Sequence, residues 1–434
     1  MASARLRELF GLLPVGLLVT AGFTAVVLSR TEEVNDLSLT YGGFFLGLCV
    51  FAHFFIRARL PQADPYLFPL AALLAAFGLV MIYRIDEELA RQQAQWFVIG
   101  LVFFCATVLL LRDHRALERY RYTIAAASIA LLFLPRVPGI GGRVNGAFLA
   151  IHIGPVQFQP AELAKIGIIV FLASYLGETR DVLVRGRVPR LSLKHFGPLL
   201  VVWGAAMLLL VFIRDLGSLV MFFGGFLALL YVATSRLSLV AGGAAMFAAG
   251  AVFFANTVGH VHERVSIWLD PLRPQVVEDE GYQIAQSMFA QADGGLFGTG
   301  FGRALLELPG GDLILPAADT DLIYALIVNE LGLFGAAAVV MIYLLFTARG
   351  FKVALLARDG FSKLLAAGLT AVFAMQVFVI VGGVTRVIPL TGVTLPFVSY
   401  GGSSIVANLM LLALLLTVSH DARRDTAENR GGLA

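Results

Sequence analysis

The sequence predicts an all-α, polytopic membrane protein with about twelve membrane-spanning helices, and two observations lead to this prediction. First, 59% of the 434 residues are hydrophobic and only 14% are charged. Soluble domains are roughly 45–50% apolar and about 25% charged, so a soluble core could not bury this much apolar surface. Second, runs of about 20 mostly apolar residues, the length that crosses a bilayer as a helix, recur along the whole chain.

Twelve such runs are predicted to span the membrane, although the fifth and sixth are short and ten or eleven spans is the alternative count. They are residues 11–29, 39–56, 66–83, 94–111, 121–135, 161–177, 196–213, 216–233, 238–258, 321–348, 362–385 and 401–419.

Basic residues predict the orientation, because short cytoplasmic loops are enriched in Lys and Arg. If the amino terminus lies inside, 21 of the 32 Lys and Arg residues fall on the cytoplasmic side. Both termini are then cytoplasmic, residues 421–434 form a polar cytoplasmic tail, and loop 259–320 is extracellular. Within that loop, apolar residues at helical spacing predict a short amphipathic helix over 282–290 at the outer membrane surface.

Several function classes lack their usual motifs. No Walker A phosphate loop occurs, so we expect no nucleotide cofactor, and no Gly-x-Ser-x-Gly or His-Glu-x-x-His pattern marks a hydrolase or metalloprotease. Cys49 and Cys105 both lie in apolar runs, which does not support a disulfide framework. His260 and His262 alone are too few ligands for a protein metal site, so no metal-ligating residues are predicted.

Asp321 is the sharpest candidate for chemistry, because it stands directly before a long apolar run. A helix dipole stabilises a carboxylate at the amino-terminal end of a span. Such a carboxylate at the outer surface could accept a proton from a sugar hydroxyl. The alternative interpretation is that Asp319, Thr320 or Asp321 caps the helix.

Glu330 lies nine residues after Asp321 in the same run, two and a half turns further along a continuous helix. The two carboxylates would therefore face different directions and would not act on one bond. We expect Glu330 to have a structural polar role, tying its helix to a neighbour.

Gln159, Glu162 and Lys165 open the sixth span. Glu162 and Lys165 are three residues apart and share a helix face. A lysine within a span is expensive and is expected to face a cavity. It could bind an anionic diphosphate or form a local ion pair with Glu162, and the residues alone leave both interpretations open.

Two further segments carry polar candidates. Arg214 and Asp215 occupy the tight turn between the seventh and eighth spans, where they could hold a phosphate or cap the turn. Ser399, Tyr400 and Ser403 lie in the Gly- and Ser-containing segment before the last span, where small residues permit close packing or an irregular backbone that lines a cavity.

Five separated blocks, in order, resemble the FtsW/RodA/SpoVE (SEDS) family of peptidoglycan glycosyltransferases. They are Gln159-Pro160-Ala161-Glu162-Leu163-Ala164-Lys165; Asp215-Leu216-Gly217; Gly281-Tyr282-Gln283 through Gln286-Ser287 to Gly294-Gly295-Leu296; Leu315-Pro316 through Thr320-Asp321 to Glu330-Leu331-Gly332; and Leu395-Pro396 through Ser399-Tyr400-Gly401-Gly402-Ser403.

The resemblance implies a fold and a domain division. It covers about 66–420, which would form a ten-helix glycosyltransferase domain, so residues 1–60 would be two additional helices. The chain departs from the family pattern at Ala317 and Asp319, where Glu and often His are usual, and at Leu149 and Gln157, which are often Arg. Arg143 or Arg214 could replace the missing cations.

The resemblance also implies the activity, which is polymerisation of lipid II at the outer face of the bacterial cytoplasmic membrane. Asp321 matches the family's catalytic aspartate. The polar candidates named above, together with Gln286 and Thr320, are then candidates for substrate binding, and a divalent cation (Mg or Mn) could assist. Expected partners are lipid II, membrane lipids and a class B penicillin-binding protein, with no nucleic acid.

The alternatives are a lipid II flippase and a non-catalytic scaffold for cell-wall enzymes. A transporter would place its polar residues near the bilayer midplane, whereas most of these lie at the outer ends of predicted spans. A retained Asp321 argues against a scaffold. A role in elongation is favoured over one in division.

Overall fold

The computed structural model describes residues 2–31, 36–111, 113–144, 147–154, 156–185, 193–277, 279, 281–306 and 314–431. The helices within these ranges are α1 Ala2–Gly11, α2 Leu13–Thr31, α3 Asp36–Arg59, α4 Leu67–Ile85, α5 Glu87–Leu110, α6 Ala116–Arg119, α7 Arg121–Phe133, α8 Pro160–Arg185, α9 Leu193–Ile213, α10 Leu216–Thr234, α11 Leu237–Thr257, α12 Gly259–Leu269, α13 Pro274–Val277, α14 Tyr282–Gly294, α15 Ile323–Leu356, α16 Gly360–Val384 and α17 Gly402–Gly431.

The predicted α-helical membrane fold is confirmed. Ten helices in the described ranges are long and apolar enough to cross a membrane. Each of the twelve predicted spans coincides with a helix, and the two that fall short of the length requirement are the fifth, α7, and the seventh, whose apolar part is Gly197–Ile213. The last helix continues to Gly431, through most of the segment expected to be the cytoplasmic tail.

The chain forms two compact units, and each takes several separate stretches of sequence. The first unit consists of Met1–Val102, Ala255–Phe346 and Gln376–Asn408. The second consists of Phe103–Phe254, Thr347–Met375 and Leu409–Ala434.

In the first unit, buried charges attach the amino-terminal helices to the segment that leads into α4. Arg5 forms an ion pair with Glu8 and donates to the carbonyl of Ala63, and the Nδ1 atom of His53 lies 2.8 Å from the Glu8 carboxylate. All three charged or polar side chains are at most 5% exposed. Because a buried charge is costly without partners, this network fixes α1 and α3 in place.

The second unit contains a feature that the sequence did not predict. The loop 136–160 forms a three-stranded antiparallel sheet of β1 Gly141–Val144, β2 Ala147–Ile153 and β3 Val156–Phe158. Next to it, the guanidinium of Arg136 lies 4.1 Å from the ring centroids of both Phe148 and Phe212. Such cation–π contacts hold the sheet against the end of α9.

The described part of loop 259–320 contains three helices, of which one was predicted. A helix, α14, covers Tyr282–Gly294, where a helix over 282–290 was predicted, and α12 and α13 precede it.

Candidate active site

Asp321 lies in a tight turn that leads into α15, in the first unit. The amides of Thr320 and Leu322 both donate to the carbonyl of Ala317, at 3.2 and 2.9 Å. Ala317 itself has φ 55°, a left-handed conformation that a residue with a Cβ seldom adopts. Helix α15 begins at Ile323, one residue later than a helix capped at Asp321 would begin, and the turn therefore presents Asp319 and Asp321 ahead of the helix.

The segment before α17 clamps this turn by hydrogen bonds to the backbone of the turn. Ser399 donates from Oγ to the carbonyl of Thr320 at 2.7 Å and accepts from the amide of Leu395 at 2.8 Å. The amide of Tyr400 donates to the carbonyl of Asp319 at 2.8 Å. Ser399 and Tyr400, selected from sequence as substrate-binding candidates, thus lie beside Asp321 and hold the turn that carries it.

Two glutamines of α5 form hydrogen bonds to the same segment before α17. The Gln93 side chain donates to the carbonyl of Ser399 at 3.0 Å and accepts from the amide of Gly401 at 3.2 Å. The Tyr400 hydroxyl donates to the Gln92 side chain at 2.6 Å. Because Gln93 is 2% exposed, losing these bonds would leave polar groups buried without partners, which fixes the backbone of the segment firmly.

The electrostatic environment suits Asp321 to exchange a proton near neutral pH. Burial raises the pKa of the Asp321 carboxyl to about 6; Arg264 acts against this rise and the neighbouring Asp319 carboxylate adds to it. Burial likewise raises the pKa of Asp319. The side chain of Asp321 is half-buried, so a substrate could still approach it.

Arg264 is a site residue that the sequence did not single out. It lies on α12, and its Nη1 atom donates to the carbonyl of Leu390 at 2.9 Å. A reciprocal pair of bonds fixes the end of α12 to the same segment, since Trp268 donates to the carbonyl of Arg386 at 3.0 Å and Arg386 donates back to the carbonyl of Trp268 at 2.9 Å. In the sequence, Arg264 was marked only as a basic residue of the predicted extracellular loop.

Glu330 has partners of its own, distinct from those of Asp321. Its carboxylate lies 3.2 Å from Nε of Arg84 and accepts from the amides of Gly302 and Ala304, at 3.1 and 3.4 Å. Arg84 also donates to the carbonyl of Ala304 at 2.9 Å. Glu330 thus fixes the Gly-rich segment that follows α14, a geometry suited to the structural polar role proposed from sequence.

The continuous helix assumed for 321–348 is wrong at one point, because α15 is kinked at Gly332. Gly332 has φ 68° and ψ −173°. A Cβ atom on it would lie 2.4 Å from both the amide nitrogen of Gly298 and the carbonyl oxygen of Leu296. The Gly-rich segment therefore packs into the break, backbone against backbone, where only glycine fits.

In the second unit, Lys165 and Glu162 form an ion pair in the first turn of α8. The Nζ atom lies 2.5 Å from the carboxylate, and the two residues are 0% and 4% exposed. Gln159 immediately precedes the helix, and its carbonyl accepts from the amide of Glu162 at 3.3 Å. A buried lysine with one carboxylate partner is compatible with either interpretation, an anion site or a structural pair.

Arg214 and Asp215 take different environments although they are neighbours. Arg214 is exposed and has φ 66°, whereas Asp215 is 4% exposed and caps α10 by accepting from the amide of Ser218 at 2.9 Å. This geometry gives Asp215 the cap role and leaves the Arg214 guanidinium accessible.

The two remaining candidates lie on other helices. Gln286 is half-buried on α14, and Ser403 is 7% exposed in the first turn of α17. No group of three or more His, Cys, Asp or Glu side chains that could hold a metal ion occurs among the residues the structure describes.

Sequence comparisons identify relatives of this architecture. The FTSW_RODA_SPOVE family, described as "Cell cycle protein", matches residues 65–424. The peptidoglycan glycosyltransferase RodA of Mycobacterium tuberculosis is 40% identical over 423 residues, which cover 94% of this chain and 88% of the relative. The probable peptidoglycan glycosyltransferase FtsW of Geobacter sulfurreducens is 31% identical over 372 residues, which cover 83% of this chain and 96% of that protein.

Solved structures show the same similarity. A chain from a peptidoglycan synthase complex that coordinates polymerization and crosslinking matches with a TM-score of 0.66 at 27% identity, covering 83% of this chain and 98% of the other. The Rod shape determining protein RodA of Thermus thermophilus matches with a TM-score of 0.59 at 26% identity, covering 83% and 97%.

Proposed function

The chain belongs to the FtsW/RodA/SpoVE family, and on that premise we propose that it is a peptidoglycan glycosyltransferase that polymerises lipid II at the outer face of the cytoplasmic membrane. The observation that carries the proposal is the Asp321 turn. It holds a half-buried carboxylate with a pKa raised to about 6, next to an arginine and on a rigid support. A general base is most effective when its pKa lies near the working pH.

The reaction requires a proton acceptor and a stabilised leaving group. Asp321 takes the proton of the 4-hydroxyl of the incoming sugar as that oxygen attacks the anomeric carbon of a second lipid-linked disaccharide. The bond between that carbon and the diphosphate oxygen breaks, and undecaprenyl diphosphate leaves with the bonding electrons. Fixed positive charge that meets the developing negative charge is usually a large contribution to catalysis.

Arg264, Arg214 and Lys165 are the cations proposed to provide that charge. Arg264 is the strongest candidate, because its charge already acts on Asp321. Lys165 would have to exchange its bond to Glu162 for one to the diphosphate.

A divalent cation remains part of the proposal. Mg²⁺ is commonly held by one or two carboxylates together with substrate phosphates. The substrate diphosphate would provide most of the ligands of such a cation at the Asp321 turn. When bound there, the cation would supply further positive charge to the leaving group.

A role in elongation, with a class B penicillin-binding protein as partner, is supported by the comparisons. The relatives named RodA match 94–95% of this chain and therefore include its amino-terminal helices, whereas the FtsW relatives match 83%. One structural neighbour belongs to a peptidoglycan synthase complex.

The test is to give purified full-length protein lipid II, with and without its class B partner, and to separate the products on a gel. Glycan polymer from this chain supports the proposal. Lipid II that is moved across vesicle membranes but never polymerised would instead support the flippase alternative.

A further inference from the structure

An apolar pocket of about 510 Å³ lies in the first unit between α2, α3, α4 and α5. Five aromatic rings line it, from Phe23, Tyr41, Phe44, Phe45 and Tyr83. The rings of Phe23 and Tyr83 meet edge to face with centroids 4.9 Å apart, so these walls are packed against one another. Phe44, at the edge, is 55% exposed, which leaves the pocket open on that side.

Two of the four helices that line this pocket, α2 and α3, lie outside the family match. That match begins at residue 65, whereas Phe23 lies on α2 and Tyr41, Phe44 and Phe45 lie on α3. The pocket is therefore a property of chains that carry the additional helices. In a bilayer, an open apolar pocket takes up an apolar chain, because neither water nor a polar group is stable there.

Helix α5 connects the pocket to the active site. Ala94, Gln95 and Val98 line the pocket, while Gln92 and Gln93 hold the segment that clamps the Asp321 turn. Residues at adjacent positions of a helix point to different sides, so one turn of α5 serves the pocket on one face and the catalytic segment on another.

The rim of the pocket is polar on the α5 side. Glu87, Arg91 and Gln95 lie there. Arg91 forms an ion pair with Glu88, but both side chains are more than half exposed, at 58% and 53%. Exposed pairs contribute little, so the guanidinium can exchange Glu88 for a phosphate at small cost.

We propose that this pocket holds the polyprenyl chain of the lipid-linked substrate that supplies the attacking 4-hydroxyl, whose diphosphate stays bonded and lies at the Arg91 rim. The inference rests on the proposed function. An isoprenoid chain carries a methyl branch and a double bond in each unit, so it fills a wide pocket with aromatic walls better than a straight acyl chain. The position beside the active-site helix favours the substrate over a bulk phospholipid.

The experiment fills the pocket and varies the substrate chain. Val98→Trp places a large side chain in the pocket, and Val252→Trp is the matched control, since Val252 is 63% exposed on α11 and does not line the pocket. Each full-length protein is assayed with lipid II carrying its full prenyl chain and with an analogue carrying a short one. Native mass spectrometry in parallel measures retention of undecaprenyl phosphate in competition with phosphatidylglycerol.

We expect Val98→Trp to raise KM for the long-chain substrate about tenfold, which corresponds to ~1.4 kcal/mol. The short-chain substrate should react as in the wild type, and undecaprenyl phosphate should no longer be retained. Equal effects on both substrates, no effect on either, or phosphatidylglycerol displacing undecaprenyl phosphate from the wild type would each overturn the inference.

The same experiment distinguishes a failure of the proposed function from a failure of this inference. If the wild type polymerises neither substrate, the assignment of activity is wrong. Retention of undecaprenyl phosphate that Val98→Trp removes and Val252→Trp keeps would still support the pocket, and retention that both variants keep would overturn it.

Discussion

At the scale of single residues, the chemistry depends on three charged side chains, those of Asp319 and Asp321 on the turn and that of Arg264 on α12. Burial raises the pKa of Asp321 to about 6, while Arg264 lowers it and Asp319 raises it. A general base acts when ionised, so activity is present above this pKa and declines as the pH falls through it. The acid side of the pH–rate profile should therefore have a midpoint near 6.

Neutralising either neighbour should move that midpoint in a predictable direction. Asp319→Asn removes a negative charge and should shift it to lower pH, whereas Arg264→Gln removes a positive charge and should shift it to higher pH. The measurement is kcat/KM against pH for each variant and the wild type. Shifts in the same direction would mean that the acid limb belongs to a group other than Asp321.

Lys165 allows binding and structure to be separated. If it is structural, Lys165→Met leaves Glu162 buried without its cation and lowers stability by ~3–5 kcal/mol. If it also binds the diphosphate, lipid II affinity should weaken in Lys165→Met and stay weak when Glu162→Gln is added, which is the result we expect. Adding Glu162→Gln removes the buried negative charge as well, so stability should return although no cation is present. Recovered activity in the double variant would therefore contradict the ligand role.

At the scale of elements, the break in α15 lets the Gly-rich segment reach Glu330. The backbone of Gly332 and Gly298 is in such close contact that a Cβ atom cannot fit between them. This contact places the Gly-rich segment so that the amides of Gly302 and Ala304 reach the Glu330 carboxylate.

Gly332→Ala should therefore destabilise the protein by about 1–3 kcal/mol, through a strained φ and an overpacked contact. The matched control is Gly250→Ala on α11, where an added Cβ meets open space and alanine favours the helix. Thermal unfolding in detergent should show a lower Tm for the first variant and an unchanged or higher Tm for the second. Equal Tm values would show that the kink is not needed for packing.

The sequence predicted some elements well because their causes are local. Apolar runs specify membrane helices whatever surrounds them, and Asp321 stood out because acid beside a span is costly. Arg264 could not be assigned in the same way, because its effect on Asp321 depends on how segments that are far apart in the sequence fold together. The strands at 141–158 are too short for alternation to mark them, and nothing local distinguishes Gly332 from a glycine in a straight helix.

At the scale of the whole molecule, the division at about residue 60 stays a prediction. The family match begins at 65, yet the structure joins the earlier helices to the rest through the Arg5 bond to Ala63 and the contact of Phe23 with Tyr83. These contacts suggest that the additional helices stabilise the chain, while the Asp321 turn is built without them.

Deleting residues 1–60 should leave polymerisation measurable in detergent, most clearly with a short-chain substrate that does not need the pocket. Removing two helices also preserves the orientation of the remainder. The control is elution of the truncated protein as a single folded species in size-exclusion chromatography. A folded but inert truncation would place α1–α3 within the catalytic unit.

The most direct test of the central claim compares Asp321→Asn with Asp319→Asn in the polymerisation assay. Each protein is purified with its partner, given lipid II, and followed by gel. We predict that Asp321→Asn binds lipid II and its partner but polymerises ~10²–10⁴-fold more slowly, the usual contribution of a general base, while Asp319→Asn retains most activity at neutral pH. Near-normal polymer from Asp321→Asn would contradict the account.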